Sequence, residues 1–444
     1  MLHRAIAFAG AVSAALLLAS SSLAQMPLAA PPTPAAQVTT VIHAGRLLAD
    51  PATGRVLSQQ SILVGADGRI VGIEAGYVTR EGATVVDETN RFVLPGFTDC
   101  HVHLTSELGP TQLLDEVQLT ITDAALRGVE NARKTVMAGF TTVADVGGPN
   151  DAVFGLRRAI AENRFPGPRI MGSGWIVTPD GGHADANGYA PEIVDALRNP
   201  AACSGADACR RSVRRQIQAG ADLIKITSTG GVLSNTAAGV GQQFSDEELR
   251  AIVDAAHAMG RRVTAHAHGV DGINAALRAG VDSIEHGTYS DAESFRLFHQ
   301  GNRYLVPTMM AGWWVTQLAE RGGVLTPAQT AKARMVGPAL QAMVRRAHAA
   351  HVRMAFGTDT GVSPHGMNAH EFVLLVGAGL TPLEAIQMAT VDAADHLQLN
   401  TTIGRVAPGY SADIVAVDGD PLADVSTLEH VRFVMARGNT VRAD

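Results

Sequence analysis

The feature that most constrains the fold is a long alternation of short apolar segments and amphipathic helical patterns in the middle of the chain. Chains that alternate strands and helices in this way build parallel sheets covered by helices. Eight apolar segments between residues 93 and 402 predict an α/β fold of the (β/α)8 type, a TIM barrel, in preference to an open doubly wound sheet. The predicted strands are residues 93–104, 141–146, 169–177, 222–227, 262–268, 283–287, 304–309 and 353–357. The main helical patterns are residues 124–138, 245–259, 272–279 and 328–350.

The two ends of the chain have a different sequence pattern. Residues 38–92 and 403–444 contain short alternating strand patterns, with turn sequences such as Asp50-Pro51 and Asp67-Gly68. Because these ends flank one long α/β region, we expect them to combine into a small composite β-sandwich domain. The barrel domain is predicted to span residues 93–402.

The first 24 residues have the pattern of a secretory signal peptide. A basic start precedes an apolar run over residues 5–18 and then Ser22-Leu23-Ala24, a sequence of the kind that signal peptidase cleaves. The alternative is a membrane anchor, but the run is shorter than the roughly 20 residues that a spanning helix needs. We predict a signal peptide at residues 1–24, a linker at 25–37, and a mature protein that is periplasmic or secreted and has no membrane segment.

Export decides how the three cysteines are interpreted, because disulfides persist in oxidising compartments. Cys203 and Cys209 flank a short loop-like sequence, and this spacing favours a local disulfide over two free thiols. Cys100 lies within an apolar strand pattern and is expected to be a small core residue.

Composition and motifs exclude several classes of function. The 35 Lys and Arg against 42 Asp and Glu give a formal net charge of -7, without the basic excess that nucleic acid binding requires. Neither G-x-G-x-x-G nor G-x-x-x-x-G-K-[ST] occupies a strand-to-helix turn, so a nucleotide cofactor is not expected. The sequence has no G-x-S-x-G motif, which leaves a serine hydrolase with little support.

Ionisable side chains accumulate at the carboxyl ends of the predicted strands, where barrels of this type build their active sites. These residues are His101, His103, His266, His268, His286 and Asp359. Two pairs of histidines are separated by one residue, and the period of two in a strand makes both imidazoles of a pair face the same way. Imidazole and carboxylate ligands suit Zn²⁺ or a neighbouring divalent metal better than Ca²⁺ or Mg²⁺.

Lys225 is one of only three lysines and lies among branched apolar residues of the fourth predicted strand. A lysine ammonium is almost never fully buried without a partner. Two interpretations stay open at this point. Lys225 either pairs with a carboxylate or reaches the barrel rim, or it has a lowered pKa that lets CO₂ carbamylate the neutral amine, producing a carboxylate that bridges two metal ions.

These motifs give the chain a resemblance to the amidohydrolase superfamily, within it to the branch of imidazolonepropionase-type hydrolases and metal-dependent Xaa-Pro dipeptidases. The resemblance covers nearly the whole mature chain. It rests on the sequences Leu94-Pro95-Gly96-Phe97, Asp99-Cys100-His101-Val102-His103, Ile224-Lys225, Ala265-His266-Ala267-His268-Gly269, Ile284-Glu285-His286-Gly287, Gly357-Thr358-Asp359 and Pro408-Gly409-Tyr410-Ser411-Ala412-Asp413.

The resemblance implies a site with two divalent metal ions, expected to be Zn²⁺, and a Lys225 that CO₂ has carboxylated on N6. It assigns one metal to His101, His103 and Asp359 and the other to His266 and His286, with the Lys225 carbamate as the bridge. Asp359 would also shuttle the proton during the reaction.

Four residues are candidates for contact with the substrate. The resemblance implies that His183, in the loop sequence Gly181-Gly182-His183, donates a hydrogen bond to the scissile carbonyl oxygen. Several relatives have Tyr where His268 stands, a position associated with the substrate's carboxylate, so this role of His268 is open. Tyr289 and His365 lie in loops that follow predicted strands and are further candidates.

The predicted reaction is hydrolysis of an amide or peptide bond by a hydroxide that bridges the two metals. The dipeptidase-like branch implies dipeptides or N-acyl amino acids as small-molecule substrates, and some members that resemble it cleave ochratoxin-like amides. One alternative is a cyclic amide hydrolase of the imidazolonepropionase kind, with one metal. Another is a non-catalytic periplasmic binding protein on the same barrel. Whether the protein forms a homo-oligomer stays open.

Overall fold

The computed structural model describes residues 37–235 and 239–444. The predicted signal peptide, residues 1–24, and residues 25–36 of the predicted linker lie outside the described residues. In the part of the chain that is described, no helix combines the length and the apolar character needed to cross a membrane.

The elements alternate through the middle of the chain as the sequence predicts. The strands are β1 (Val38–Leu47), β2 (Leu57–Gly65), β3 (Ile70–Ala75), β4 (Thr84–Pro95), β5 (Phe97–Val102), β6 (Phe140–Asp145), β7 (Arg169–Gly172), β8 (Leu223–Thr227), β9 (Arg262–Ala267), β10 (Ser283–His286), β11 (Tyr304–Val306), β12 (Ile414–Val417), β13 (Val431–Ala436) and β14 (Asn439–Ala443). The α-helices are α1 (Gln112–Gln118), α2 (Ile121–Met137), α3 (Asn150–Ala161), α4 (Pro191–Leu197), α5 (Ala206–Ala219), α6 (Asp246–His257), α7 (Val270–Ala279), α8 (Ala292–Gly301), α9 (Met309–Arg321), α10 (Pro327–Ala349), α11 (His370–Gly377), α12 (Pro382–Gln387) and α13 (Ala393–His396). Short 3-10 helices cover Pro51–Thr53 and Val425–Glu429, and a π-helical turn covers Met388–Asp392.

Strands from both ends of the chain form one seven-stranded sheet in the order β14-β13-β12-β4-β1-β2-β3. Strand β4 pairs in parallel with β1 and antiparallel with β12, so it joins the two ends of the sequence. Ile70 of β3 and Met435 of β13 lie in one buried cluster, although their strands are far apart in the sheet order. The sheet therefore curls around a common core, and the predicted sandwich is a single curled sheet, not two separate ones.

The middle of the chain forms two parallel sheets with the orders β5-β6-β7 and β11-β10-β9-β8. Isolated parallel bridges extend both sheets and join Val177 to Ile226, Leu305 to Met354 and Val102 to Thr360. Helices lie between most successive strands, so the chain has a mixed α/β fold. This arrangement brings the carboxyl ends of parallel strands to one side of each sheet.

Four predicted strands have clearly different limits in the structure, and the third of the eight, predicted at residues 169–177, ends at Gly172. The first is interrupted at Gly96, where a side chain would collide with Thr141, so β4 and β5 are separate strands and β4 runs past the domain boundary predicted after residue 92. The seventh ends at Val306 because Met309 already begins α9. The eighth, predicted at residues 353–357, makes isolated bridges in place of a continuous strand.

The predicted helices are present with small shifts of their ends. Helix α6 begins after Ser245, whose hydroxyl accepts from the N–H of Glu248 while the Glu248 carboxylate accepts from the N–H of Ser245. Thr120 and Asp123 make the same reciprocal cap at the start of α2. Such capping boxes satisfy N–H groups that the first helical turn leaves without partners. They fix where each helix begins, and therefore the length of the loop before it.

Cys203 and Cys209 form a disulfide at the start of α5, with Cα atoms 5.1 Å apart. Cys100 is a free, buried residue of β5. Both placements agree with the roles expected for these cysteines from the sequence.

Candidate metal centre

The side chains predicted at the strand ends converge on one buried site. The Asp359 carboxylate lies 3.3 Å from His101 Nε2 and 3.2 Å from His103 Nε2. The Lys225 Nζ lies 3.3 Å from the same His101 nitrogen, and the ring centroid of His286 lies 5.3 Å from that of His101. Residues separated by more than a hundred positions meet here. His101 and His286 lie near the ends of β5 and β10, Lys225 lies within β8, and Asp359 follows a segment that pairs through isolated bridges.

Two groups of side chains are arranged as metal ligands, and they share His286. The groups are His266, His268 and His286, and His101, His286 and Asp359. All these side chains are buried, and within each group the ligand atoms lie within 4.8 Å of one another. Imidazole nitrogens combined with a carboxylate oxygen are the donor set of Zn²⁺ and its neighbours. The residues therefore fit divalent metal ions, and His268, expected to contact substrate, lies among the ligand groups.

The backbone is strained at three positions beside these groups. His286, Thr308 and Asp359 have φ angles of 67°, 50° and 59°, in the left-handed region that residues other than glycine rarely adopt. Thr308 is β-branched, which makes this conformation more costly, and its hydroxyl lies 2.6 Å from His286 Nδ1. Strain of this kind costs about 1–3 kcal/mol per residue and concentrates at functional sites. Two of the strained residues, His286 and Asp359, are therefore members of the ligand groups, and the third, Thr308, contacts His286.

Burial sets the protonation states of the site. It lowers the pKa of the Lys225 ammonium, although two nearby carboxylates raise it. Burial also holds the pKa of His266 and of His286 well below the usual range. For Asp359 burial raises the pKa, but the two histidines that contact its carboxylate outweigh this and hold the pKa well below its usual range. Neutral imidazoles and an ionised carboxylate are the forms that bind metal.

His183 lies at the edge of this site, where the Gly-Gly-His loop places it. Its ring centroid is 4.2 Å from that of His266. Its Nδ1 lies 2.7 Å from the Ser234 hydroxyl, and its backbone N–H donates to the Gln243 side-chain oxygen at 2.9 Å. Burial lowers the pKa of His183 to about 3, so the ring is neutral. Gly231 lies against the ring, since a Cβ there would be 2.5 Å from Nε2.

Tyr289 and His365 are placed differently from each other. The backbone N–H of Tyr289 donates to the carbonyl of His268 at 3.0 Å, which puts this partly buried residue beside the ligand groups. The ring nitrogens of buried His365 lie 3.1 Å from the Ser106 carbonyl and 3.3 Å from the Thr135 hydroxyl. The His365 ring therefore ties neighbouring segments together, and its contact with substrate stays a prediction.

Two residues that shape the site had no role in the sequence analysis. The Glu285 carboxylate contacts a ligand imidazole, and its signal in the sequence is an acid within an otherwise apolar strand. Lys332 of α10 donates to the carbonyls of Gly231 at 2.9 Å and Ser234 at 2.7 Å, and so holds the loop that faces the site. The scarcity of lysine marks Lys332 in the sequence, but only the fold shows that α10 contacts this loop.

Comparisons with known proteins agree with this geometry. The family model described as amidohydrolase family matches residues 92–441. Ochratoxinase of Aspergillus niger is 31% identical over 437 residues, which cover 94% of this chain and 88% of that protein. The crystal structure of a Xaa-Pro dipeptidase with bound methionine in the active site has a TM-score of 0.84 and 36% identity, covering 90% of this chain and 99% of that chain. A prolidase complexed with N-methylphosphonate-L-proline has a TM-score of 0.82 and 31% identity, covering 91% of this chain and 100% of that chain.

Proposed function

The chain belongs to the amidohydrolase family and is a hydrolase of amide bonds, and we propose that it works with two divalent metal ions held at the ends of its parallel strands. The observation that carries this proposal is the pair of ligand groups that share His286. His101, His103 and Asp359 would hold one ion and His266 and His286 the other, and carboxylated Lys225 would contribute a further carboxylate ligand. Zn²⁺ is the proposed metal, because the ligands are mainly imidazoles.

The chemistry of the chain's own residues follows from their protonation states. When bound, divalent metal ions lower the pKa of water towards 7 and so supply a nucleophile at neutral pH. The ionised Asp359 accepts the proton of the attacking water and returns it to the leaving amine. His183 donates from Nε2 to the carbonyl oxygen, which requires the Ser234 hydroxyl, 2.7 Å from Nδ1, to donate to that nitrogen.

We also propose that the two parallel sheets belong to one closed (β/α)8 barrel. The bridge between Val177 and Ile226 connects the β7 side to β8. The bridges made by Met354 and Thr360 connect β11 to β5 through the eighth segment. Closure by this route would surround the site with strand ends on every side.

For the substrate we propose a dipeptide or an N-acyl amino acid, with ochratoxin-like amides in the same class. Three proteins to which the chain is similar support this class of substrate: a Xaa-Pro dipeptidase, a prolidase complexed with a phosphonate of proline, and an ochratoxinase.

We propose that the mature protein is periplasmic or secreted. The disulfide between Cys203 and Cys209 supports this, because such bonds persist in oxidising compartments. The proposed signal peptide at residues 1–24 would direct the export.

The test combines metal content with hydrolysis of a panel of dipeptides and N-acyl amino acids. We expect close to two Zn²⁺ per chain and cleavage of members of the panel. Asp359→Asn should lower kcat on the order of 10²- to 10⁴-fold, whereas Asp151→Asn, on the exposed surface of α3, should have no effect. One ion per chain with opening of cyclic amides would favour the imidazolonepropionase-like alternative. Two ions without cleavage of any amide would favour a binding protein.

A further inference from the structure

Glu285 is a buried carboxylate that the proposed mechanism does not use. It lies on β10, is 1% exposed, and places one oxygen 2.6 Å from His101 Nδ1. The other oxygen accepts hydrogen bonds from the hydroxyls of Thr264 and, at 3.2 Å, Ser283. Both oxygens of the carboxylate are therefore used as acceptors, one by a ligand imidazole and one by two hydroxyl groups.

The contact between Glu285 and His101 decides which ring nitrogen carries the proton. A carboxylate can only accept, so the nitrogen facing it is protonated. Nε2, which lies 3.3 Å from Asp359 and 3.3 Å from Lys225, is then the nitrogen that is left to bind a metal ion. We propose that Glu285 is a positioning residue that keeps the His101 proton on Nδ1 and the Nε2 lone pair directed at the metal. This inference rests on the proposed function.

Among the other ligand imidazoles in the described part of the chain, none has a carboxylate in contact with the ring nitrogen that points away from Asp359. His103 Nδ1 faces the carbonyl of Gly147 at 2.9 Å, and His286 Nδ1 faces the Thr308 hydroxyl at 2.6 Å. A hydroxyl can donate as well as accept, and a carbonyl carries no charge. A carboxylate both orients the ring and raises its basicity as a ligand. Glu285 thus gives His101 a support that its neighbours lack.

Glu285→Gln is an informative substitution because it keeps the volume of the side chain and changes only its charge and its hydrogen-bonding groups. The amide offers one acceptor and one donor where the carboxylate offers two acceptors. If the amide oxygen stays with the hydroxyls of Thr264 and Ser283, the NH₂ group faces His101 and moves the ring proton to Nε2, which blocks the ligand lone pair. If the amide is reversed, the two hydroxyls lose their acceptor. The negative charge is lost in both orientations.

The first test measures the affinity of the full chain for Zn²⁺ by competition with a chelator. We expect Glu285→Gln to bind Zn²⁺ roughly 10- to 100-fold more weakly than wild type. Glu88→Gln, which replaces a carboxylate that is 3% exposed and pairs with Arg91 in the seven-stranded sheet, should bind like wild type. Equal affinity in Glu285→Gln and wild type would overturn the positioning role and leave the proposed function intact. A wild-type chain that binds no Zn²⁺ would refute the proposed function and this inference with it.

The second test needs no change at Glu285 and therefore does not depend on how well that variant folds. In the metal-free wild-type chain with ¹⁵N-labelled histidine, the His101 signals are identified by their loss in His101→Asn. We expect nuclear magnetic resonance to show the His101 proton on Nδ1. A wild-type chain in which His101 Nδ1 carries no proton would overturn the proposal.

Discussion

A single methyl group at Gly231 tests whether His183 takes part in the reaction. A Cβ at this position would lie 2.5 Å from Nε2 and 2.6 Å from Nδ1 of the His183 ring. Non-bonded heavy atoms settle at about 3.5–4.0 Å, so Gly231→Ala has to displace the ring by about 1 Å. The ring of His266, with its centroid 4.2 Å from that of His183, restricts the directions in which this displacement can occur.

The expected loss of rate follows from how strongly catalysis depends on the position of the catalytic group. A catalytic group misplaced by about 1 Å costs on the order of 10²-fold in rate. Loss of one hydrogen-bond donor to a developing oxyanion costs about 10²- to 10³-fold. We therefore expect Gly231→Ala to lower kcat by about 10²-fold, or about 2.7 kcal/mol. KM should change little, because His183 is proposed to bind the transition state more strongly than the substrate.

The assay is steady-state kinetics on the best amide of the panel, together with metal content. Gly241→Ala is the matched control, since no atom of residues 37–235 and 239–444 lies within 4 Å of a Cβ at Gly241. Gly231→Ala in a His183→Ala background should cause no further loss, because both changes remove the same interaction. Wild-type kcat in Gly231→Ala, or losses that multiply in the double variant, would refute the reasoning.

Two further predictions concern stability. Burial raises the pKa of Glu371 from 4.5 to about 8, so between these values the folded state binds more protons than the unfolded state and wild-type stability falls as pH rises. Glu371→Gln cannot ionise. Its free energy of unfolding in urea, relative to wild type, should therefore rise by up to about 1.4 kcal/mol per pH unit between pH 5 and 8. A difference that does not change with pH would contradict this. The Cys203→Ser/Cys209→Ser variant should be less stable by about 2 kcal/mol, because the disulfide closes a short loop over a sequence separation of 6. An unchanged melting temperature would count against that estimate.

The clustering of the site's histidines and Asp359 was predictable because local rules place them. His101 and His103 share a face through the period of two in a strand, and His266 follows the same rule. A histidine or aspartate after an apolar run is conspicuous, so Asp359 could be assigned although its segment forms isolated bridges in place of a strand. Residue type and strand position were sufficient there.

Contacts between distant segments could not be predicted in the same way. Glu285 meets His101 across a separation of 184 residues, and only the packing of two different sheets, which contain β10 and β5, determines that contact. The interruption at Gly96 was missed because an apolar run has the same pattern whether one strand or two cross it. The contacts of the His365 ring with Ser106 and Thr135 also come from the packing of distant segments, and no spacing in the sequence indicates them.

The position of β4 between β1 and β12 has a consequence for synthesis of the protein. The last strands leave the ribosome after every residue of the metal centre, yet they complete the sheet next to the strand that leads directly towards His101. Until β12 arrives, residues 92–95 of β4 expose an apolar hydrogen-bonding edge of the kind that promotes aggregation. Pairing of β4 with β12, which are far apart in the sequence, is also slow. A nascent chain is therefore most prone to aggregation just before its final strands are made.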